Sequence, residues 1–510
     1  MKRLIVLTVF AIFLTGCAQS RVTKCVNPLT YTDIPDNDVI RVGDDFYMIS
    51  TTMYFCPVAP IMHSRDLVHW SIVSYVCDCL EDDDVYNLRG GRNAYGKGQW
   101  AASLRYVDGV YYALFIANDQ RKTYVFRTDD INSSNWQKNV IERPFHDASV
   151  LFEDGRVYVV WGNGELRITE LEPDLTGVKE GGVDQLLIES PREGQMLRAE
   201  GSHIYHIGDY YYVLEIDWPA GGVRTETCWR SHELLGEYES RVVLQGEFDG
   251  RSDGVAQGAL VDTRHGDWYS VMFQDHGAVG RIPTLQPVTW VEDWPVLGDD
   301  TVPVKEFYVN LKPYGEDYVW ASDEFDAPDL ALVWQWNHKP VDGAWSLTER
   351  PGWLRLTTSH IAGGLRDARN TLTQRTVGPG CFSEVKLDAS GMKPGDCAGL
   401  CAFQSHYCSI GVELDAEGVR RLVARDSEGE LFSEEISSDE VCLKIIYDFN
   451  EDVARMAYSL NGEEWLVIEQ ALEMRYTLDF FTGYRSALYN YATLGTGGHV
   501  DFDYFRQEVI

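Results

Sequence analysis

A chain of 510 residues is too long for one ordinary hydrophobic core, so we expect two or three domains. The formal net charge of −35 repels phosphate backbones, which argues against nucleic acid as a partner and against polyanionic substrates. Apolar residues make up 45% of the chain, and its 15 Trp and 28 Tyr suit both β-sheets and clefts in which rings stack on sugars.

The beginning of the chain has the pattern of an exported protein. Residues 1–17 combine a basic start, an apolar stretch and the tetrapeptide Leu14-Thr15-Gly16-Cys17, which resembles a bacterial lipoprotein box. We expect acylation of Cys17 to anchor the protein to a membrane by lipid alone, in the periplasm or on the outer-membrane surface of a Gram-negative bacterium. The alternative is an ordinary secreted protein with a chance cysteine. The ten later cysteines are interpreted mostly as small buried side chains, and one disulfide is left open.

A repeated unit follows, in which a polar turn precedes paired aromatic residues. The tyrosines that mark successive units are separated by 65, 46, 54 and 57 residues. A period near fifty with several short strands is typical of propeller blades, so five units predict five blades over residues 25–305. A β-sandwich with accidental spacing is the alternative. The marking tyrosines are Tyr47, Tyr112, Tyr158, Tyr212 and Tyr269.

Three acidic residues, Asp36, Asp147 and Glu200, lie at the heads of the first, third and fourth units. If the units close into a ring, the three carboxyl groups converge on its axis. Hydrolysis of a glycosidic bond requires a carboxylate base and a carboxylic acid on opposite sides of the bond. A third carboxylate can hold the acid protonated by like-charge repulsion. The alternative is that the aspartates only form turns.

The pattern changes near residue 300, where a Pro-containing connector precedes a second region of alternating strands. We predict a β-sandwich of the jelly-roll kind over residues 320–510. The predicted fold class is therefore all-β: a five-bladed β-propeller followed by a β-sandwich.

The chain resembles glycoside hydrolase family 43, whose catalytic domain is a five-bladed β-propeller. The resemblance also extends into the second domain, which is similar to the concanavalin-like domain of the family's xylosidase and arabinofuranosidase branches. The motifs that carry it in the first domain are residues 34–43, 100–105, 146–149, 200–205 and 273–281, and those in the second are 334–338, 345–351 and 369–375.

This resemblance implies a role for each carboxyl group. Asp36 would be the general base that activates water, Glu200 the general acid, and Asp147 the residue that raises the pKa of Glu200 and orients it. The family inverts configuration, so the base and the acid should lie about 6.5–9.5 Å apart. Asn37 stands where the family usually has Pro, which loosens the turn. Asp38 and Asp33 are the other candidate bases.

Four further residues are predicted to bind the substrate. Arg281 would donate hydrogen bonds to sugar hydroxyls, with a surface ion pair as the alternative. Trp100 would stack on the sugar, and Tyr54 lies in a loop that would line the pocket; packing is the alternative for both. His276 matches the family histidine at the propeller axis, which often meets a bound ion. No cofactor is required, although Ca²⁺ at the axis, near His276, is left open.

The resemblance predicts an exo-acting, inverting enzyme that removes terminal α-L-arabinofuranose from arabinose- or xylose-containing plant glycans. In this branch the second domain would close one side of the pocket. The alternatives are a β-xylosidase or a bifunctional xylosidase/arabinofuranosidase, an endo-arabinanase if the cleft is open, and a glycan-binding lipoprotein without catalysis.

Overall fold

The computed structural model describes residues 22–251 and 253–510. The predicted signal segment 1–17, with Cys17, lies outside them. The regular structure of the described residues consists of β-strands and of three short 3-10 helices, Gly277–Val279, Asp342–Ala344 and Leu365–Asp367. The predicted all-β fold is therefore confirmed. A search of the described residues for a helix of sufficient length and apolarity to cross a bilayer found none.

Within the described residues, twenty-three strands precede the second domain. They are β1 (Thr23–Val26), β2 (Asp38–Val42), β3 (Asp45–Ile49), β4 (Phe55–Cys56), β5 (Val58–Ser64), β6 (Ser71–Cys77), β7 (Gln99–Val107), β8 (Val110–Ala117), β9 (Lys122–Thr128), β10 (Gln137–Ile141), β11 (Ser149–Glu153), β12 (Arg156–Trp161), β13 (Glu165–Leu171), β14 (Asp184–Glu189), β15 (Gln195–Ile207), β16 (Tyr210–Pro219), β17 (Thr225–Ser231), β18 (Glu239–Gln245), β19 (Val255–Asp262), β20 (Trp268–Asp275), β21 (Arg281–Val291), β22 (Trp294–Leu297) and β23 (Glu306–Val309).

Most of these strands form five antiparallel sheets of four strands each. The sheets are β2-β3-β5-β6, β7-β8-β9-β10, β11-β12-β13-β14, β15-β16-β17-β18 and β19-β20-β21-β22. Their first strands contact one another in the cyclic order β2, β7, β11, β15, β19 and back to β2. The sheets are thus the blades of a closed five-bladed propeller, as predicted. After it, β1 pairs with β23 and ties the start of the described chain to the connector.

The repeated turn that the sequence shows is the hairpin between the first and second strands of each blade. Asp108 and Gly109 join β7 to β8, and Asp154 and Gly155 join β11 to β12. All four residues have positive φ angles, between 48° and 84°, which such two-residue turns require and Asp and Gly tolerate. The five marking tyrosines accordingly occupy equivalent places on the second strands β3, β8, β12, β16 and β20.

Two larger sheets form the second domain. Its strands are β24 (Gln335–Asn337), β25 (Trp345–Ser346), β26 (Leu354–Thr357), β27 (Leu372–Arg375), β28 (Gly380–Asp388), β29 (Asp396–Phe403), β30 (Cys408–Leu414), β31 (Arg420–Asp426), β32 (Glu430–Glu435), β33 (Glu440–Asp448), β34 (Val453–Ser459), β35 (Leu466–Val467), β36 (Leu472–Glu473), β37 (Arg485–Ala492) and β38 (His499–Val509). One sheet has the order β32-β31-β30-β29-β37-β27-β24-β4. The other has the order β25-β26-β38-β28-β33-β34-β35, with β36 beside β34.

Alternation along the strands gives the first of these sheets two apolar faces. On β29, Leu400 packs into the core between the two sheets, whereas Cys401 and Phe403 belong to a cluster that includes propeller residues such as Tyr54 and Tyr95. The sandwich therefore packs on the propeller through side chains as apolar as those of a domain core. The contact also includes backbone, because β4, from the first blade's connection, pairs with β24 as the edge strand of the sandwich sheet.

Candidate active site

Asp36 sits in a tight turn directly before β2, the innermost strand of the first blade. Its φ angle is 54°, a left-handed conformation that is costly for a non-glycine residue and that clusters at functional sites. The buried Asn37 side chain donates a hydrogen bond to the carbonyl of Ile34 (2.9 Å). This bond stabilises the turn. The asparagine side chain therefore compensates for the absence of the proline that the family usually has at this position. Asp36 itself is buried and pairs with Arg281, with 2.6 Å between Oδ1 and Nη1.

The other two acids of this region have structural partners. Asp33 accepts hydrogen bonds from the backbone N–H groups of Arg281 and Gly483, at 2.8 and 3.0 Å, and so joins the propeller to the sandwich. Oδ2 of Asp38 accepts from the N–H of Leu104 and from Arg105, both at 2.7 Å, between the first two blades. The contacts of Asp33 and Asp38 are thus those of structural residues.

The other two carboxyl groups depend on equally irregular backbone. Asp147 precedes β11 and has a φ angle of 46°. Glu200 differs from the sequence expectation, because it lies within the long strand β15 rather than before it, where the register with β16 shifts on both sides of it. The next residue, Gly201, has a φ angle of 66°, and a Cβ there would lie 2.7 Å from the side chain of Gln257. The positive φ angle and this close contact favour glycine at the bulge, which turns Glu200 away from the regular ladder.

The ring brings these residues together. His146, Asp147 and Glu200 each contribute a nitrogen or oxygen within 4.8 Å of those of the other two. Asp36 is close enough to affect the ionisation of both Asp147 and His146. The predicted convergence of the three acids thus corresponds to one electrostatic group in the structure.

Burial dominates the electrostatics of this group. It raises the pKa of Asp147 to about 7; the charge of His146 opposes the rise, whereas Glu200 and Asp36 add to it. Burial also raises the pKa of Asp36, against the opposing charge of Arg281. For His146, burial disfavours the cation, yet the charges of Asp147, Glu200 and Asp36 outweigh it and raise the pKa to about 9. At neutral pH the group therefore combines a cationic imidazole with two aspartates, Asp147 and Asp36, that retain protons more readily than free ones.

Arg281 is placed to bind a polar ligand. It is 6% exposed, and its Nε and Nη2 have no hydrogen-bond partner among the residues that the structure describes. Buried donors of this kind normally require a partner, and the hydroxyl group of a bound ligand is a suitable acceptor. The guanidinium also lies 4.7 Å from the ring centre of Phe481. The surface ion pair that the sequence left open for Arg281 does not describe its buried position.

Trp100, at the start of β7, forms a wall of the site together with a residue from the sandwich. Its ring is 5.8 Å from that of His146 and 5.5 Å from that of Phe481, both edge to face. Its Nε1 has no hydrogen-bond partner within the described residues. Phe481 lies between β36 and β37, so the second domain contributes directly to the rim of the site.

The structure places Tyr54 and His276 outside this group. Tyr54 is fully buried in the aromatic contact between the domains, with Tyr95 and His338 as ring neighbours. Nδ1 of His276 lies 2.7 Å from the hydroxyl of Tyr31, and burial lowers the pKa of His276 to about 4. Their predicted substrate contacts therefore gain no support from these positions.

The surroundings of His276 also bear on the expected calcium ion. The nearest carboxylate in its contacts, that of Asp249, is 4.0 Å from Nε2. Ca²⁺ takes six to eight oxygen ligands, and one carboxylate with a tyrosine hydroxyl does not make such a shell. A Ca²⁺ ion at His276 stays a prediction, for which these residues supply too few oxygen ligands.

Three contacts of the site were missed in the sequence. His146 stands next to Asp147, and this adjacency of two ionisable residues was a usable signal. Asn163 donates a hydrogen bond from Nδ2 to Oε2 of Glu200, but no motif marks it. Phe481 arrives from the other domain, and nothing in its local sequence indicates the site.

The chain matches two family descriptions. Residues 25–295 match "Glycosyl hydrolases family 43", and residues 322–508 match "Beta xylosidase C-terminal Concanavalin A-like domain". The first match covers more than half of the chain. The protein is therefore a glycoside hydrolase. This chain belongs to glycosyl hydrolases family 43.

Relatives and solved structures agree with this membership. A beta-xylosidase of Formosa agariphila is 29% identical over 95% of this chain and 90% of its own length. A non-reducing end alpha-L-arabinofuranosidase of Bacteroides ovatus is 29% identical over 77% of each chain. A solved structure described as "Bifunctional GH43-CE" of Bacteroides eggerthii is 42% identical over 96% of this chain, with a TM-score of 0.90. This chain spans 64% of the length of that structure.

Proposed function

We propose that this protein is an exo-acting, inverting glycoside hydrolase that removes terminal α-L-arabinofuranosyl residues from plant hemicellulose. The observation that carries the proposal is the convergence of Asp36, Asp147 and Glu200, with Arg281, at one end of the propeller ring. The rim residue Phe481, supplied by the sandwich, favours a pocket that holds a chain end over a groove open at both sides.

Each side chain has a role that its surroundings support. Asp36 accepts a proton from the attacking water, and its burial makes it a stronger base than an exposed carboxylate. Glu200 gives its proton to the leaving oxygen, and the repulsion between Asp147 and Glu200 disfavours the state in which both carboxyl groups are ionised. The free N–H groups of Arg281 donate to hydroxyls of the terminal sugar. In one displacement, the water oxygen bonds to the anomeric carbon as the bond to the leaving oxygen breaks.

Cleavage of β-xylosides is the second candidate, because several relatives carry that name. Besides the Formosa agariphila protein, a putative beta-xylosidase of Xylanibacter ruminicola is 30% identical over 86% of this chain. Hydrolysis of nitrophenyl α-L-arabinofuranoside and nitrophenyl β-D-xyloside in parallel decides between them, with Glu200→Ala as the control. We expect the arabinofuranoside to have the higher kcat/KM and the variant to lose about 10³-fold or more. A higher value for the xyloside would reverse the assignment.

The stereochemical course tests the mechanism separately from the sugar. Proton NMR during the first minutes of hydrolysis shows the anomer released before mutarotation. We expect the configuration opposite to that of the substrate; the same configuration would indicate a nucleophilic carboxylate about 5 Å from the acid instead.

A glycan-binding protein without catalysis is the competing class. The three assembled carboxyl groups argue against it, because binding of a neutral sugar does not require their mutual repulsion. A purified protein that binds arabinoxylan but releases no sugar over hours would establish the binding function.

We also propose a location, from the signal-like segment at residues 1–17. The segment ending at Cys17 supports an exported protein that is held to a membrane by lipid. Cells expressing the full chain should incorporate labelled palmitate into it, and Cys17→Ala should abolish the label and release the protein into the soluble fraction. A variant that stays membrane-bound would contradict the anchor.

A further inference from the structure

The two carboxyl oxygens of Glu200 differ in their hydrogen-bond partners. Nε2 of His146 lies 3.1 Å from Oε2, and Nδ2 of Asn163 donates to the same oxygen. Within the described residues, Oε1 has no such donor. An oxygen that accepts two hydrogen bonds is a poor site for a proton, so a protonated Glu200 carries its proton on Oε1. The contacts therefore determine which oxygen faces the leaving group.

His146 is fixed where its charge can act. It precedes Asp147 in the turn before β11, its Nε2 lies 3.8 Å from Oδ2 of Asp147, and the Trp100 ring packs against it. About 30% of its side chain is exposed, so the ring borders the open part of the site. Because its pKa is raised to about 9, the imidazole is a cation at neutral pH.

We infer that His146 is a positioning residue for the acid: its cationic ring holds Oε2 of Glu200 and stabilises the carboxylate that forms as the proton on Oε1 leaves. The inference rests on the proposed function, in which Glu200 is the acid. The proton passes from Oε1 to the glycosidic oxygen, the bond from that oxygen to the anomeric carbon breaks, and Asp36 takes the proton of the water. His146 keeps its own proton throughout.

The charges around His146 determine the direction in which the pH profile should move when its charge is removed. Asp147 from the same turn, Glu200 from β15 and Asp36 from the turn before β2 face the ring, and Arg281 from β21 acts on Asp147. The imidazolium lowers the pKa of Asp147 beside it. Asp147 and Glu200 repel each other's charge, so without the cation this pair of carboxyl groups keeps a proton to higher pH. The alkaline limb of the activity profile then moves upward while the maximal rate falls.

A pair of variants separates charge from hydrogen bonding. His146→Gln keeps a neutral donor but removes the charge, and Asn163→Ala removes a neutral donor to the same oxygen. We expect His146→Gln to shift the alkaline limb of kcat/KM upward by about one pH unit and to lower kcat about 10-fold, more for disaccharides than for nitrophenyl glycosides. Asn163→Ala should lower kcat without moving the limb. A folded His146→Gln protein with an unmoved limb would overturn the inference.

A second measurement does not depend on turnover. Histidine-labelled protein is titrated by NMR as the wild type and as Glu200→Gln, with the His146→Gln spectrum assigning the signal. Removal of the carboxylate should lower the His146 midpoint by about one unit or more. An unchanged midpoint would overturn the inference even if no glycoside is cleaved, whereas inactivity on every glycoside with the expected NMR shift would refute the proposed function alone.

Discussion

The guanidinium of Arg281 binds Asp36 through Nη1 and leaves Nε and Nη2 unused within the described part of the chain. Lysine keeps the charge but lacks the planar arrangement of donors. We therefore expect Arg281→Lys to lower kcat/KM by about 10²-fold, because substrate hydroxyls lose donors and the base loses its fixed partner. Steady-state kinetics on nitrophenyl glycosides measures this loss.

The matched control is Arg41→Lys. Arg41 is also an arginine of the propeller, and it forms a bidentate ion pair with Asp262. This pair is separate from the cluster formed by Asp36, Asp147 and Glu200. Its kcat/KM should stay within about twofold of wild type, since partly exposed pairs contribute little. Equal losses in the two variants would show that the Arg281 effect is not specific to the site.

The raised pKa of Asp147 predicts the pH dependence of stability. An ordinary aspartate has a pKa near 4, whereas that of Asp147 is about 7 in the folded protein, so the folded state retains a proton that the unfolded chain has lost. The free energy of unfolding therefore falls as pH rises through this window. His146, with its pKa raised from 6.5 to about 9, adds a loss of the same sign at higher pH.

Asp147→Asn removes the first of these contributions. Between pH 5 and 8, its Tm in scanning calorimetry should fall by less than that of the wild type. Asp129→Asn, a substitution of an exposed carboxylate, should keep the wild-type slope. If Asp147→Asn also kept that slope, Asp147 would not retain its proton in the folded state.

At the scale of elements, the segment between β36 and β37 presents two adjacent phenylalanines to different surroundings. Phe480 is fully buried and stacks on Tyr95 with 4.0 Å between ring centres. Phe481 borders Trp100 and Arg281 at the site. We expect Phe480→Ala to lower the free energy of unfolding by about 3–5 kcal/mol. Phe481→Ala should instead raise KM about 10-fold, through loss of substrate contact, with little change in Tm.

Chemical denaturation and steady-state kinetics on the same two preparations test this division. Each variant serves as the control for the other, because both remove one benzyl group from neighbouring positions. A loss of stability in Phe481→Ala as large as that in Phe480→Ala would mean that Phe481 is a packing residue rather than part of the rim.

The elements also show what the sequence could predict. The blades could be predicted because one local turn recurs between the first and second strands of each blade, as at Asp108-Gly109. A tyrosine follows this turn on the second strand of each blade. The strand around Glu200 was expected to begin after that residue, but β15 begins before it. The bulge at Glu200 depends on the contact of Gly201 with Gln257 from another blade, which no local sequence pattern indicates. Phe481 could not be predicted at all, since its place depends on how two separately patterned domains pack.

For the whole molecule, the contact between the domains predicts that the propeller does not fold alone. Asp33 binds the N–H groups of both Arg281 and Gly483, and Arg485 from the sandwich lies 3.7 Å from the ring centre of Phe55 in β4. A fragment of residues 22–314 exposes these buried groups to water. We expect it to be insoluble or inactive, and the full chain to unfold in a single calorimetric transition. A soluble, active fragment, or two separate transitions, would contradict this prediction.

The short strand β4 has a consequence for protein engineering and for evolution. Although it lies among the residues of the first blade, it forms an edge of the sandwich sheet next to β24. A recombination breakpoint placed in the connector near residue 314 would therefore separate one strand from the sheet to which it belongs. Chimeras that carry the sandwich domain of a relative should fold more often when residues 50–58 are also taken from that relative. The two regions, far apart in the gene, are therefore expected to be inherited together.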